Sequence, residues 1–324
     1  MPIRLLLALC AVLACGGAAR GQSVSSQPFP SKPIRLVVGY SPGGGNDLIA
    51  RIVAVALQAR LKQPVMVDNQ PGEQANVAAE IVAKAPADGY TLLVASSGPM
   101  TINPAFYPKL SYDPIKDFAP VSLLAEFPVL LVVSAEEPIR SVKELIDYGH
   151  VHPEEASYAS SAAPFQLAAE LFDQHTRSTF RHLPYKGSGD AVQAVVTGQA
   201  LMAVVDSGAA AELLKAGKLR ALAGTPSKRP PDFPKVPSFA EAGVPDMEIA
   251  LWTGIVAPAG TPAAVVTRLQ EAIAYVVESP ETRQALEEIS VNPRSTSQRT
   301  FTDIIARDTA RWKKVAATAN VKLD

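Results

Sequence analysis

Two α/β lobes are what this sequence predicts, and three observations carry the prediction. Short apolar runs alternate with amphipathic helical spacings along nearly all of the 324 residues, the order of a parallel sheet with covering helices. Glycine loops open a helix twice, at Gly43–Gly45 and at Gly187–Gly189. A chain of this length divides more readily into two lobes than it packs as one. Its 48% hydrophobic and 19% charged residues supply a large core.

The first unit organises the rest. Ile34–Val38 is an apolar run of the kind a parallel sheet buries. Pro42 and Gly43–Gly45 break it, and Asn46 or Asp47 can cap the helix that follows. Leu48, Ile49, Ile52, Val53 and Ala56 give that helix one apolar face. A glycine loop opening a helix leaves N–H groups free at the positive end of the dipole, which suits an anion. The P-loop pattern is absent, and the dinucleotide fingerprint fails because Leu48 stands where its third glycine is needed. A small carboxylate therefore suits this loop better than a nucleotide; a plain strand-to-helix turn without ligand is the alternative.

The alternation then repeats. Val65–Val67 reads as a strand, Asn69–Gly72 as a turn, Ala75–Ala85 as a helix and Tyr90–Ala95 as a strand ending at Ser96-Ser97-Gly98. Val121–Leu124 and Pro128–Val133 are strands, and Ser141 with Glu144 has capping-box spacing. Ser157–Ala163 ends another strand, Pro164 fits the first turn of a helix over Phe165–His175, and Phe180–Pro184 is a strand. Tyr185–Gly189 is the second glycine loop, opening a helix over Ala191–Thr197. Met202–Val205, ending at Asp206, and Leu219–Ala223 are strands. Ile249–Ala257 is a strand through Trp252. Helices follow from Pro262 to Glu278, over Glu281–Ile289 and over Ser297–Thr318. In such sheets ligands sit at the carboxyl ends of the strands.

Met1–Gly21 has the form of an export signal: Arg4, the apolar run Leu5–Cys15, then small residues before Gln22. Val12-Leu13-Ala14-Cys15 also allows a lipid anchor on Cys15; soluble release is the preferred reading, and the location is periplasmic in both. Cys10 and Cys15 both fall inside the signal. A chain cut after Gly21 would hold no thiol, which excludes disulfides and cysteine nucleophiles. Without Arg4 and Arg20, the 30 basic residues become 28 against 31 acidic ones, a net charge of −3. No basic excess points to nucleic acid.

Several motifs together carry a family resemblance. They are Pro33-Ile-Arg-Leu-Val-Val38, Pro42-Gly-Gly44 with Asp47 and Arg51, Asn69-x-Pro-Gly72 and Asp88-Gly-Tyr-Thr-Leu-Leu93. Further on come Asp117-Phe-Ala-Pro-Val121, His182-Leu-Pro-Tyr-Lys-Gly187, Gly217-Lys-Leu-Arg-Ala-Leu222, Val236-Pro with Glu241-Ala-Gly243, and Ala257-Pro-Ala-Gly-Thr-Pro262. In this order they cover nearly the whole mature chain. The chain resembles the Bug (TctC-like) receptors of tripartite tricarboxylate transporters. The resemblance implies a type II periplasmic-binding fold: two α/β lobes, 30–127 plus 250–324 and 128–249, joined by crossings near Phe127 and Ala250. It implies a small carboxylate in the cleft, held by loop N–H groups, hydroxyls and waters, and a membrane transporter or sensor as partner. It also implies a monomer without cofactor or metal and without catalytic residues.

Candidate ligand-binding residues are Ser41, Gly43, Gly44, Gly45, Asn46 and Asp47; Glu73, Gln74 and Asn76; Ser96 and Ser97; Ser160, Ser161 and Ala162; Tyr185 and Gly187; and Asp206. Three places depart from the family. Glu73-Gln74-Ala75 stands where a small Ala-Gly-Gly run is usual, Ala159-Ser-Ser-Ala162 where a Gly-Thr-Ser-Gly loop is, and Gln166 where a histidine is common. If Glu73 faces the ligand, it repels a second negative charge by about 4 kcal/mol at about 4 Å and an effective dielectric near 20. A tricarboxylate held there is then disfavoured. The alternative is that Glu73 points to solvent at the rim.

A periplasmic hydrolase is the rival function. All four histidines, His150, His152, His175 and His182, fall between Gly149 and Leu183, and the Gly-x-Ser-x-Gly elbow is absent. His182 reads as a strand-end residue rather than a base, and His150-x-His152 as solvated surface rather than a metal site. A cytoplasmic sensor module is the other rival, opposed by the export signal and by the lack of a helix-turn-helix before Ile34.

Overall fold

The computed structural model describes residues 29–107, 109–161, 163–225, 234–245, 247, 249 and 251–318. The export signal with Cys10 and Cys15, Ala162 and the second crossing point at Ala250 lie outside these residues.

The chain opens with β1 (Ile34–Val38), α1 (Gly45–Leu61), β2 (Val65–Asn69), α2 (Asn76–Ala83) and β3 (Thr91–Ser96). A π-helical turn over Gly98–Ile102 runs into α3 (Asn103–Phe106), and β4 (Phe118–Phe127) follows. β1 pairs in parallel with β2 (Leu36 opposite Val67) and with β3 (Leu36 opposite Leu92). The period-2 alternation of a strand sends successive residues to opposite faces. Leu36 and Val38 accordingly join a core with α1, while Val37 joins one with α2. Burial on both faces is why β1 reads as an unbroken apolar run.

After Phe127 the chain leaves this sheet. β5 (Val129–Ser134) belongs to a second sheet, with α4 (Val142–Val151), β6 (Ser157–Ser160), α5 (Ala163–Thr176), β7 (Arg181–Pro184), α6 (Ser188–Val196), β8 (Met202–Asp206), α7 (Ser207–Lys215) and β9 (Leu219–Gly224). The chain then returns to the first sheet as β10 (Leu251–Pro258), followed by α8 (Ala263–Val277), α9 (Pro280–Glu288), β11 (Asn292–Pro293) and α10 (Gln298–Thr318). The sheet orders are β11-β4-β10-β3-β1-β2 and β7-β6-β8-β5-β9. The strand that enters each sheet from the other side is antiparallel to its neighbours: β5 to β8 and β9, β10 to β3 and β4. Pro128, which has no N–H to donate, separates β4 from β5.

Some boundaries differ from the sequence expectation. β4 is ten residues long and carries Pro120, opposite Val256 beside a register irregularity; bulges are where a sheet tolerates proline. The helix expected from Ala75 begins at Asn76, because Ala75 is left-handed (φ 71°). The π turn has no apolar periodicity, and Gly98-Pro99 reads as a break.

Candidate functional site

The carboxyl ends of β1 and β3, together with β10, meet the beginnings of α5 and α7 around a cavity of about 230 Å³. Its walls are Tyr40, Gly45, Asn46, Gln74, Ser96, Ser97, Gly98 and Asn103 on the first-sheet side, Phe127, Leu251 and Trp252 where the chain crosses, and Pro164, Phe165 and Asp206 on the second-sheet side. No Arg, Lys or His is among the described residues that line it.

Each wall has a local cause. Gly44 is the N-cap of α1 and offers no side-chain bond, and the helical ladder starts with the Leu48 N–H donating to Gly44 O at 2.9 Å. The N–H groups of Gly45 and Asn46 precede that first bond, so they have no partner within the helix. Phe127 presses on this turn: a Cβ on Gly45 would lie 3.0 Å from its ring. The Asn46 side-chain oxygen accepts from the Thr253 hydroxyl of β10, which fixes the loop against the crossing strand. The Tyr40 hydroxyl lies 2.8 Å from Ser96 Oγ, and burial pushes its pKa up. Asp206 caps α7, its Oδ1 accepting the Ala209 N–H at 2.9 Å.

Asp47 is not a wall of the cavity but the clamp behind it. Its buried carboxylate accepts from the Gly43 N–H (2.8 Å), Arg51 Nε (2.9 Å) and Asn69 Nδ2 (2.8 Å). Burial raises its pKa, but the bonds from Arg51, Gly43 and Asn69 and the charge of Arg51 outweigh that and hold it below the usual carboxylate range. It sits two residues past the first residue of α1 and reaches back across the turn, as the acidic partner of a capping box does. The expected N-cap bond from Asn46 or Asp47 is replaced by this arrangement.

Of the sequence candidates, Gly45, Asn46, Gln74, Ser96, Ser97 and Asp206 line the cavity. Ser41, Gly43 and Gly44 stand on the exposed rim of the same loop. Asn76 is buried behind the wall, its Oδ1 2.7 Å from Asn103 Nδ2 and 2.8 Å from the Tyr112 hydroxyl. Glu73 is exposed and lines a separate open groove with Glu80 and Lys109. The repulsion argument thus loses its residue, because the left-handed turn at 73–75 directs this carboxylate away from the cavity. Tyr185 also lines another groove, Ser161 Oγ lies 2.9 Å from Ser188 Oγ, and Gly187 is the N-cap of α6. Tyr40, Gly98, Asn103, Phe127, Pro164, Phe165, Leu251 and Trp252 were not sequence candidates for the site. Tyr40 and Gly98 each adjoin one, and adjacency was the signal that could have found them.

Two further clusters bear on chemistry. Ser160 Oγ lies 2.8 Å from His182 Nε2, and the His182 ring stacks on Tyr158 with centroids 4.9 Å apart. His182 lies in strand β7, and its contact with Ser160 joins that strand to β6. Burial lowers its pKa, opposed by the nearby Glu170. Neither residue lines the cavity. At the end of α4, donor atoms of His152, Glu154 and Glu155 lie within 4.8 Å of one another on the surface.

A two-lobed binding protein is the class this geometry defines: strands cross between two α/β sheets, and a small cavity opens where they meet. The sequence profile described as "Tripartite tricarboxylate transporter family receptor" matches residues 49–321, and the chain belongs to that family, TctC. Protein BugT of Bordetella pertussis is 33% identical over 99% of this chain and 98% of its own. An R. palustris protein solved with adipate has a TM-score of 0.79 and 37% identity, covering 91% of this chain and 99% of its own. MatC from Rhodopseudomonas palustris, solved with bound malate, has a TM-score of 0.76 and 30% identity, covering 89% of this chain and all of its own. The fold is the type II periplasmic-binding fold of these receptors. No helix among the described residues is long and apolar enough to cross a membrane.

Proposed function

We propose that this protein is an extracytoplasmic receptor that holds a small carboxylate in the cavity between its lobes, taken as 30–127 plus 250–324 and 128–249, and delivers it to a membrane transporter. The observation that carries this reading is the wall itself. An uncapped helix start at Gly45 and Asn46 faces hydroxyls and amides, with the Asp206 carboxylate engaged in capping α7, and no cation among the described residues lines the space. Backbone N–H groups at a helix start can hold a carboxylate without an arginine. The cavity is smaller than the roughly 300–1,000 Å³ of drug-sized sites, which suits a compact organic acid. The carboxylates held by the two R. palustris relatives support the class. The protein acts as a soluble monomer after cleavage near Gly21 rather than through a lipid on Cys15.

Mass spectrometry of ligand released from the purified protein, followed by a thermal-shift screen of carboxylates, tests the reading. Release of a non-acidic molecule and no stabilisation by any carboxylate would overturn it. A hydrolase is the second reading, resting on the Ser160–His182 contact. Ser160 is only 3% exposed and stands outside the cavity, which argues for a structural pair. Turnover of a chromogenic ester that is lost in Ser160→Ala would reverse that preference.

A further inference from the structure

Glu73, Gln74 and Ala75 form a left-handed turn, with φ of 45°, 55° and 71°. Three successive side-chain-bearing residues in this region are unusual, because their Cβ atoms crowd the backbone there. Such a conformation persists only where its surroundings over-determine it, and it concentrates at ligand clamps. The surroundings here are buried and well defined. Asn103 Nδ2 donates to Gln74 O (3.1 Å) and to Asn76 Oδ1 (2.7 Å). Ala75 packs so closely on Gly39 that a Cβ there would lie 2.3 Å from its own. Side chains fix the backbone of the turn from behind, so the position from which Gln74 extends its side chain is set before any ligand arrives.

That position has a consequence in space. Among the described residues, Gln74 is shared by the walls of the inner cavity and of an open groove of about 760 Å³ that also includes Glu73 and Lys109. Gln74 is itself exposed, and it stands where the two spaces adjoin. Its amide offers both donors and an acceptor without a charge.

We propose that Gln74 is a specificity-determining residue: its side chain closes the inner cavity against the outer groove, limits the length of the ligand, and hydrogen-bonds one polar end of a compact organic acid. The proposal rests on the carboxylate-receptor reading above. It predicts that the shorter diacid malate binds better than the longer adipate, and that removing the side chain shifts the preference toward adipate.

Calorimetric titration of malate and adipate against wild type, Gln74→Gly and Gln74→Glu tests this. Glycine adopts the left-handed turn readily, so Gln74→Gly should fold and melt higher than wild type. Its malate-to-adipate affinity ratio should move toward adipate by about tenfold or more, the scale of one or two methylenes in a pocket. Gln74→Glu should weaken both diacids by about tenfold or more, since it sets a like charge beside their carboxylates. A ratio unchanged in Gln74→Gly, or a wild type that prefers adipate, overturns the proposal. Failure of wild type and Gln74→Gly to bind either diacid overturns it as well. The receptor reading is judged separately, by the ligand released on unfolding.

Discussion

The carboxylate of Asp47 shows how a residue can shape a site without touching its contents. It satisfies the Gly43 N–H and the Asn69 amide from a position only 1% exposed, while Arg51 is half exposed. The ion pair with so exposed a partner contributes little by itself; the buried hydrogen bonds matter more. Asp47→Ala leaves two donors unpaired and should cost about 2–4 kcal/mol, read as a lower denaturation midpoint. Asp47→Asn is not the mild change it looks, because its new amide would face Asn69 Nδ2, donor against donor. Asn69 cannot turn over without giving up its bond to Tyr40 O and the acceptor it offers Arg51. Both variants should therefore lose melting temperature, and affinity at a temperature where they stay folded should fall less than about tenfold. The folded pKa is depressed. The stabilisation is thus full above the unfolded value of about 3.9 and is lost as pH falls through the lower folded value. Wild type but not Asp47→Asn should show that acid-limb step in its melting profile.

Elements were legible wherever one physical signal dominated. β1 and β3 are unbroken apolar runs and stand where expected, and α1 follows its glycine loop. The cavity was half legible for the same reason: strand ends with glycine or hydroxyls point to it, whereas Phe165, Leu251 and Trp252 come from packing partners far away in sequence. The left-handed turn gave no sequence sign, since Glu and Ala do not favour it and tertiary contacts impose it. Helix α5 carries a similar hidden tension. Asp173 accepts the Phe180 N–H at 2.8 Å through Oδ2, but its buried Oδ1 has no partner among the described residues. Burial, aided by the charge of Glu170, raises its pKa to about 7. Folding therefore retains a proton that the unfolded chain releases near pH 4, and stability drops as pH rises from about 4 to about 7. Asp173→Asn should raise the melting temperature clearly at pH 8 and hardly at pH 5. Equal shifts at the two pH values would mean that the carboxylate is hydrated rather than strained.

At the scale of the whole molecule, the two sheets are joined by more than their crossing strands. Helix α10 packs on the π turn, α3 and β4; it puts Phe301, Ile304 and Ile305 into a core of the first sheet and Trp312 and Val315 into a core that joins Ile102 and Leu251 to the strands of the second. The Trp252 Nε1–H donates to buried Asp308 at 3.1 Å, which pins the middle of this helix to the crossing strand β10. If the lobes close on ligand, as residues from both of them around one cavity imply, the motion must bend at Phe127–Pro128 and the return segment while α10 moves with the first sheet and only Trp312 and Val315 reach the shared core. A splint of this kind limits how far the free protein can open. The radius of gyration from small-angle scattering should fall on adding a carboxylate that binds. Trp312→Ala should cost about 3–5 kcal/mol as a large core truncation. It should also enlarge the radius of the free protein more than that of the liganded one, because only the open form relies on the splint to limit its angle. A ligand-independent change in radius would assign Trp312 to packing alone, and an unchanged radius of wild type at saturation would remove closure altogether.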